Sequence, residues 1–187
     1  MYADEIGRQI AVANYGTYGG LTFDRATVVP NRTDTILVTS TEYDDAGQAY
    51  KTIDPAGRED RQEFDAAGRV VKTIQNYVDG VVDEDYPDED VTVEMAYNAD
   101  GQLLTFTAKN PATGDQVTKY VYGTTLSDSE IATSTLKRAE IYPDSDDTTT
   151  LGNGPDGIYD RIEFKYDRQR RVTEVNDQQE TVQAFAF

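Results

Sequence analysis

The sequence predicts an all-β chain, an antiparallel β-meander of short strands. Three observations carry this. Glycines at 47, 57 and 68 each follow an Asp-opened turn signal, and such a signal every 8–12 residues marks consecutive strands. Apolar residues alternate with polar ones at period two, as in Val91-Thr92-Val93-Glu94-Met95-Ala96-Tyr97. The aromatic content is 13 Tyr and 6 Phe with no Trp, alongside many Val and Thr, a composition suited to a half-buried pleated face.

The elements follow in order. Residues 1–14 read as a turn and a strand, with Ile10 and Val12 on one face and Ala11 and Ala13 on the other. Tyr15-Gly16-Thr17-Tyr18-Gly19-Gly20 reads as loop, and 22–34, with Pro30, as irregular. Residues 35–43 form a strand with Leu37, Thr39, Thr41 and Tyr43 on one face and Ile36 and Val38 on the other. The arms 48–54, 58–65 and 69–76 then run antiparallel, joined by Asp-opened turns in which Gly takes the positive φ. Arg58-Glu59-Asp60-Arg61-Gln62-Glu63 has no apolar residue, so it reads as an edge or largely solvated strand held by its neighbours.

After an acidic excursion at 77–90, residues 91–97 form a strand with Val91, Val93, Met95 and Tyr97 inward and Thr92 and Glu94 outward. Residues 103–108 and 117–122 make the next pair, through Asn110-Pro111-Ala112-Thr113-Gly114. Residues 123–132 lack a helical face and read as loop. Strands follow at 135–142, 158–166, 172–177 and 181–187, with Asp160 interrupting the inner face of Ile158, Ile162, Phe164 and Tyr166, and Arg161 on the opposite face. About a dozen strands and no helix result.

One motif recurs: Phe64-Asp65-Ala66-Ala67-Gly68-Arg69, with Tyr43-Asp44-Asp45-Ala46-Gly47-Gln48 and Tyr97-Asn98-Ala99-Asp100-Gly101-Gln102. A degenerate copy, Tyr166-Asp167-Arg168-Gln169-Arg170-Arg171, has Arg170 where glycine stands elsewhere, so a different turn type is expected there. A looser copy opens the chain, Tyr2-Ala3-Asp4-Glu5-Ile6-Gly7-Arg8, one residue too long. Repetition at this period marks a repeat architecture.

This motif resembles the YD repeat, also called the RHS repeat. The resemblance covers most of the chain and weakens in inserts near 14–35, 77–90 and 123–157; otherwise residues 1–187 read as a single YD/RHS-repeat segment. Proteins similar to it build curved or spiralling sheets that close into shells around a toxin cargo, or stand in the adhesion ectodomains of teneurins. The resemblance therefore implies a structural scaffold, not an enzyme, in a large secreted or cell-surface protein. Its partners would be neighbouring repeats and an enclosed polypeptide cargo. In bacterial RHS shells a pair of Asp-Pro-x-Gly motifs supports self-cleavage. Here Asp54-Pro55-Ala56-Gly57 stands alone in mid-chain, is followed by Arg58, and Asn110-Pro111 lacks the Asp, so that activity is not carried over. Both ends of the chain fall in phase with the repeat, which suggests a segment of a longer protein.

Charge and composition exclude other classes. The net charge of −18 argues against nucleic-acid binding, which needs clustered Lys and Arg, and against anionic membrane surfaces. The chain has no His and no Cys, which removes the commonest general base and the thiol nucleophile together. No apolar run is long enough to suggest membrane insertion. The recurring Tyr-Asp pairs read as structure, with the aromatic packing inward and the Asp opening the turn.

The best candidate site is the acidic loop with Asp144, Asp146, Asp147, Asn153, Asp156 and Asp160. Ca²⁺ takes six to eight oxygen ligands in a flexible cage, and Asp and Asn spaced among glycines could supply them. The spacing is not that of an EF-hand, and the plain alternative is a solvated loop. The loop with Asp83, Glu84, Asp85, Asp88 and Asp90 is a weaker candidate. No other cofactor is expected. The second reading is accordingly a calcium-dependent adhesion or glycan-binding module that uses these loops and exposed tyrosines. Paired carboxylates for glycoside hydrolysis cannot be placed across a cleft from sequence.

Overall fold

The computed structural model describes residues 1–17, 26–143, 145–177 and 180–185, and side chains throughout except those of 180–183. Among these residues there are thirteen strands and no helix. The fold is an all-β antiparallel meander. It divides into two compact units, 1–93 and 94–187.

In the first unit β1 (Tyr2–Ala3), β2 (Gln9–Asn14), β3 (Leu37–Tyr43), β4 (Ala49–Ile53), β5 (Glu59–Phe64) and β6 (Val70–Gln75) pair in chain order, each antiparallel to the next. In the second unit β8 (Leu103–Ala108), β9 (Gln116–Thr124), β10 (Thr133–Ile141), β11 (Arg161–Tyr166), β12 (Val172–Asp177) and β13 (Glu180–Ala184) do the same. The unit boundary falls inside β7 (Val91–Tyr97). The sequence reading placed the strands within a few residues of these bounds. Hairpin turns impose that result, since antiparallel neighbours need only a short reversal.

Six reversals share one geometry: Asp4–Arg8, Asp44–Gln48, Asp54–Arg58, Asp65–Arg69, Asn98–Gln102 and Asp167–Arg171. In each, the first residue's N–H donates to the fifth residue's carbonyl, and its own carbonyl accepts from the fourth residue's N–H, at 2.9–3.1 Å. This is the turn-plus-bulge hairpin whose last loop position needs a positive φ. The first residue's Oδ1 also accepts the fifth residue's N–H at 2.8–3.0 Å. Where the fifth residue is Arg, its Nε reaches back to the Asp Oδ2: 2.7 Å for Arg8, 2.9 Å for Arg58, 2.7 Å for Arg69 and 2.7 Å for Arg171. The motif is thus a list of turn parts. Asp binds the turn closed, Gly supplies the left-handed residue, and Arg neutralises the Asp.

Two expectations about these turns are corrected. The opening copy is not too long in its turn. Asp4–Arg8 closes like the rest, and the extra residue is Ala3, where the register shifts next to Tyr2. Nor does the turn at Arg170 differ in type. Arg170 itself adopts φ +66° and makes the same bonds. A left-handed non-glycine residue costs about 1–2 kcal/mol, so Arg170→Gly is expected to raise the unfolding free energy by about 1–2 kcal/mol. Chemical denaturation of the pair of proteins checks this.

The carboxyls of Asp4 and Asp65 are held below the usual carboxylate range, first by the Arg8 and Arg69 side chains. For Asp54 and Asp167 burial works against ionisation, but their arginine and backbone N–H donors outweigh it and the net direction is again downward. A depressed folded pKa stabilises the fold above the unfolded value and is lost as pH falls through the folded one. Thermal stability should therefore hold from pH 7 to about pH 4, the unfolded carboxyl value, and decline below it. Asp65→Asn should decline less steeply over that acid range.

The buried core is small. In the first unit Tyr2, Ala11 and Val38 are buried, with Ile10, Ala13 and Ile36 packed against them. Tyr43, the motif aromatic, lies over the Arg8 guanidinium at 4.4 Å and donates its hydroxyl to the Gln9 carbonyl at 2.9 Å. Tyr166 does likewise, donating to the Lys137 carbonyl at 2.7 Å. In these two copies the motif aromatic binds an earlier strand through its hydroxyl as well as filling space.

Strand β5 is not an edge strand; it pairs with β4 and β6 on its two sides. Apart from Phe64 at its end it carries no apolar residue, and ion pairs hold it and its neighbours together. Lys51 reaches Glu42 at 2.6 Å and Glu59 at 3.9 Å, Arg61 pairs with Glu59, and Lys72 approaches Glu63 at 3.6 Å. Arg61 also stacks on Tyr77, 3.5 Å from the ring centroid.

In β7 the expected faces are exchanged at the start: Thr92 is buried and Val91 exposed. The reason is Asp90. Its backbone is left-handed at φ +48°, its carboxylate accepts the N–H groups of Val78, Asp79 and Gly80, and the Thr92 hydroxyl donates to its carbonyl at 2.7 Å. Strand β11 begins at Arg161, not at Ile158. Ile158 is exposed, its N–H bonds to Asp156 Oδ1, and the Asp160 N–H turns to Asp147 rather than to a strand partner.

Candidate functional site

The candidate site is the loop of residues 143–160 in the second unit. It leaves β10 after Ile141 and rejoins the sheet at Arg161, residues that face each other across the β10–β11 pair. Ala139 and Ile141 are fully buried there. Tyr142 bonds the Asp160 carbonyl through its N–H and Asp177 Oδ1 through its hydroxyl at 2.6 Å, which closes the base of the loop.

At its centre is an ion pair. Arg161 Nη1 donates to Asp147 Oδ2 at 2.6 Å, with side chains 5% and 0% exposed. The same Nη1 reaches Asn153 Oδ1 at 3.0 Å, Nε donates to Glu163 Oε1 at 2.7 Å, and the guanidinium lies 4.0 Å from the Tyr159 ring centroid. Burial pushes the Tyr159 hydroxyl up to about 12, with the Glu163 charge adding to it.

The sequence candidates are therefore spread over several duties. Asp144 lies outside the described residues. Asp146 Oδ2 accepts the Asp156 N–H at 3.2 Å. Asp147 and Asn153 converge on Arg161. Asp156 closes a local turn onto the Ile158 N–H at 2.8 Å, and Asp160 gives its carbonyl to Tyr142 and its N–H to Asp147. Among the described residues no group of three or more acidic side chains is placed to hold a metal ion. A guanidinium occupies the middle of the acidic loop and supplies the positive charge there. One oxygen, Asp147 Oδ1, is buried without a hydrogen-bond partner.

Arg161 is the residue that sequence reasoning missed. Alternation placed it on the outer face, yet it is the hub of the loop. The available signal was charge: it is the only basic residue between Arg138 and Lys165, directly after a run of acids. The second acidic loop is likewise built inward, onto Asp90. Burial disfavours the charged form of Asp90, but the three backbone donors prevail and its carboxyl lies below the usual range. Asn76 Nδ2 ties the Asp88 carbonyl at 2.8 Å, and Asp83 and Asp85 stay on the exposed side. In both loops most of the acidic side chains named here bind backbone N–H groups or a guanidinium of the same chain.

No family model matches the chain, and no curated protein matches it. Solved structures do. The chain is similar in fold to a chain of the TcdB2-TccC3-TEV crystal structure, with a TM-score of 0.55 at 15% identity over 96% of this chain. A chain of the TcdB2-TccC3 crystal structure matches at a TM-score of 0.41 and 15% identity over 92% of this chain. This chain spans 8% of the former chain and 9% of the latter. The likeness at 0.55 supports the fold class read from the sequence, a repeat-type β-meander.

Proposed function

We propose that this chain is a non-catalytic scaffold segment of a large secreted or cell-surface repeat protein, and that its sheet forms part of the wall of a shell around a polypeptide cargo. One observation carries the reading. The acidic and basic residues that recur with the repeat are spent on closing turns, five times as Asp and once as Asn. The likeness in fold to a chain of the TcdB2-TccC3-TEV crystal structure supports the reading of a continuing β-meander. An open meander buries its apolar face only by continuing or by closing.

The chain has no cysteine, so a single introduced thiol reports its own surroundings. Gln62 and Glu63 are adjacent in β5 and both exposed, and neighbouring strand residues point to opposite faces. In the full-length protein, Gln62→Cys and Glu63→Cys should differ widely in labelling by a bulky maleimide, and the difference should vanish on unfolding. Equal labelling of both in the native protein would sink the shell reading.

A second reading, a calcium-dependent adhesion or glycan-binding module, is favoured by the unpartnered Asp147 Oδ1. The two readings part in thermal unfolding with calcium or with chelator at matched ionic strength. A cation that binds the folded state at about 100 times its Kd adds about 2.7 kcal/mol. The scaffold reading expects coincident curves.

A further inference from the structure

One turn breaks the pattern that the other five keep. At the left-handed position Gly7, Gly47, Gly57, Gly68 and Gly101 have φ between +80° and +89°, whereas the sixth turn holds Arg170 at +66°. A strained residue at a site where glycine fits is a pointer to function. Here it completes the run Arg168-Gln169-Arg170-Arg171, all four residues exposed. Among the described residues the side chains of Arg168 and Arg170 make no hydrogen bond or ion pair, while Arg171 pairs with Asp167. Three guanidiniums thus stand at the tip of one hairpin, in a chain whose net charge is −18.

We propose that this tip is a processing site for a basic-specific serine endoprotease, cut between Arg171 and Val172. Such an enzyme reads Arg at the cut, at the next residue upstream and again two residues further upstream, through carboxylate-lined subsites. Arg171, Arg170 and Arg168 fill those places. Water adds across the Arg171–Val172 amide, leaving a carboxylate on Arg171 and an ammonium on Val172.

The protease needs an extended segment, so the turn must first open. Opening breaks the bonds of Asp167 N–H to the Arg171 carbonyl at 3.0 Å, of Arg170 N–H to the Asp167 carbonyl at 3.0 Å, and of Arg171 to the Asp167 carboxylate. The five glycine turns keep the same two backbone bonds without strain, and in three of them an Arg also binds the Asp carboxylate. The strain at Arg170 raises its open population relative to theirs by a factor of about 5–30. When opening is fast relative to cleavage, the rate of cutting follows that population. Exposed tips are also where nicking concentrates. The cut chain should stay together, because β11 and β12 remain paired, with Phe164 opposite Val175 and Ile162 opposite Asp177.

The test is limited digestion of the native full chain by furin and, separately, by trypsin, with products mapped by mass spectrometry. The first furin product should end at Arg171 and co-elute with its remainder on size exclusion. Arg168→Gln should abolish the furin cut and leave the trypsin rate after Arg171 unchanged. Arg170→Gly should slow trypsin there about 5–30-fold by removing strain alone. No furin cut in the native chain, a first cut elsewhere, or a furin rate indifferent to Arg168→Gln would each overturn the proposal. Circular dichroism of each variant establishes that it is folded before digestion.

Discussion

Arg161→Met should lower the unfolding free energy by about 3–5 kcal/mol, the cost of leaving one partner of a buried ion pair without the other. The methionine fills much of the arginine stem's volume. The loss is therefore electrostatic. Asp147, 0% exposed at its side chain, would keep only the Asp160 N–H on its carboxylate. Asn153 Oδ1 and Glu163 lose their donor in the same step. The variant also carries a pH signature. An unpaired buried carboxylate is pushed up in pKa, because burial disfavours its charged form, so the variant is expected to bind a proton on folding. Its deficit relative to the parent should then shrink as pH falls from 7 toward 5. The double variant Arg161→Met, Asp147→Leu should recover most of the loss, since an apolar pair removes the stranded charge. Urea denaturation of the four corners of this cycle, at two pH values, tests the whole argument. A deficit that is the same at both pH values would show that Asp147 is not the group left stranded.

Gly154→Ala should be the second most damaging single change, at about 2–5 kcal/mol. An added Cβ would sit 2.1 Å from Asp146 Oδ1 and 2.6 Å from the Asp146 backbone oxygen. The side-chain oxygen can swing away, but the backbone oxygen cannot without moving the loop. Overpacking of this kind costs about 1–3 kcal/mol, and φ of +51° adds about 1–2 kcal/mol for a residue with a Cβ. Gly57→Ala is the matched control. Its φ is +89°, yet nothing lies within 4 Å of the new Cβ, so only the backbone cost of about 1–2 kcal/mol applies. The difference between the two variants isolates the contact with Asp146. Hydrogen exchange should show the Gly154→Ala damage spread through the described residues of 145–160. Equal losses in both variants would mean that the loop is looser than the structure shows.

Much of the fold was legible because hairpins are local. An Asp and a Gly three residues apart are enough to reverse the chain, and the strand between two reversals has no other place to pair. That is why strands at 49–53, 59–64 and 70–75 were readable even though β5 carries no apolar residue before Phe64. The limits of that reading are local too. Asp90 and Asp160 each turn a backbone or side-chain group toward a loop, and the alternation rule fails at the adjoining residues Thr92 and Ile158.

The candidate site was only half legible. Composition located the acidic loop of 143–160, but it suggested a cage for a cation. Counting acids along a loop does not say where their oxygens point. Asp146, Asp147, Asn153 and Asp156 are close in sequence, yet they serve three different partners. Arg161 became their hub only because β11 pairs with β10 in the register that sets Ile141 opposite Arg161. That register places its guanidinium under the loop.

By itself, then, the sequence determined the class of fold, the places where the chain turns, and the turn-closing duty of the repeated Asp and Gly. Each of these depends on groups within five residues of one another or on the two-residue period of a strand. Tertiary structure alone decided which charges are buried and which are spent at the surface. It set Asp147 against Arg161 and Lys51 between Glu42 and Glu59. The physical reason is that burial and ion pairing depend on strand register, and a residue's own neighbours in sequence do not specify which residue stands opposite it.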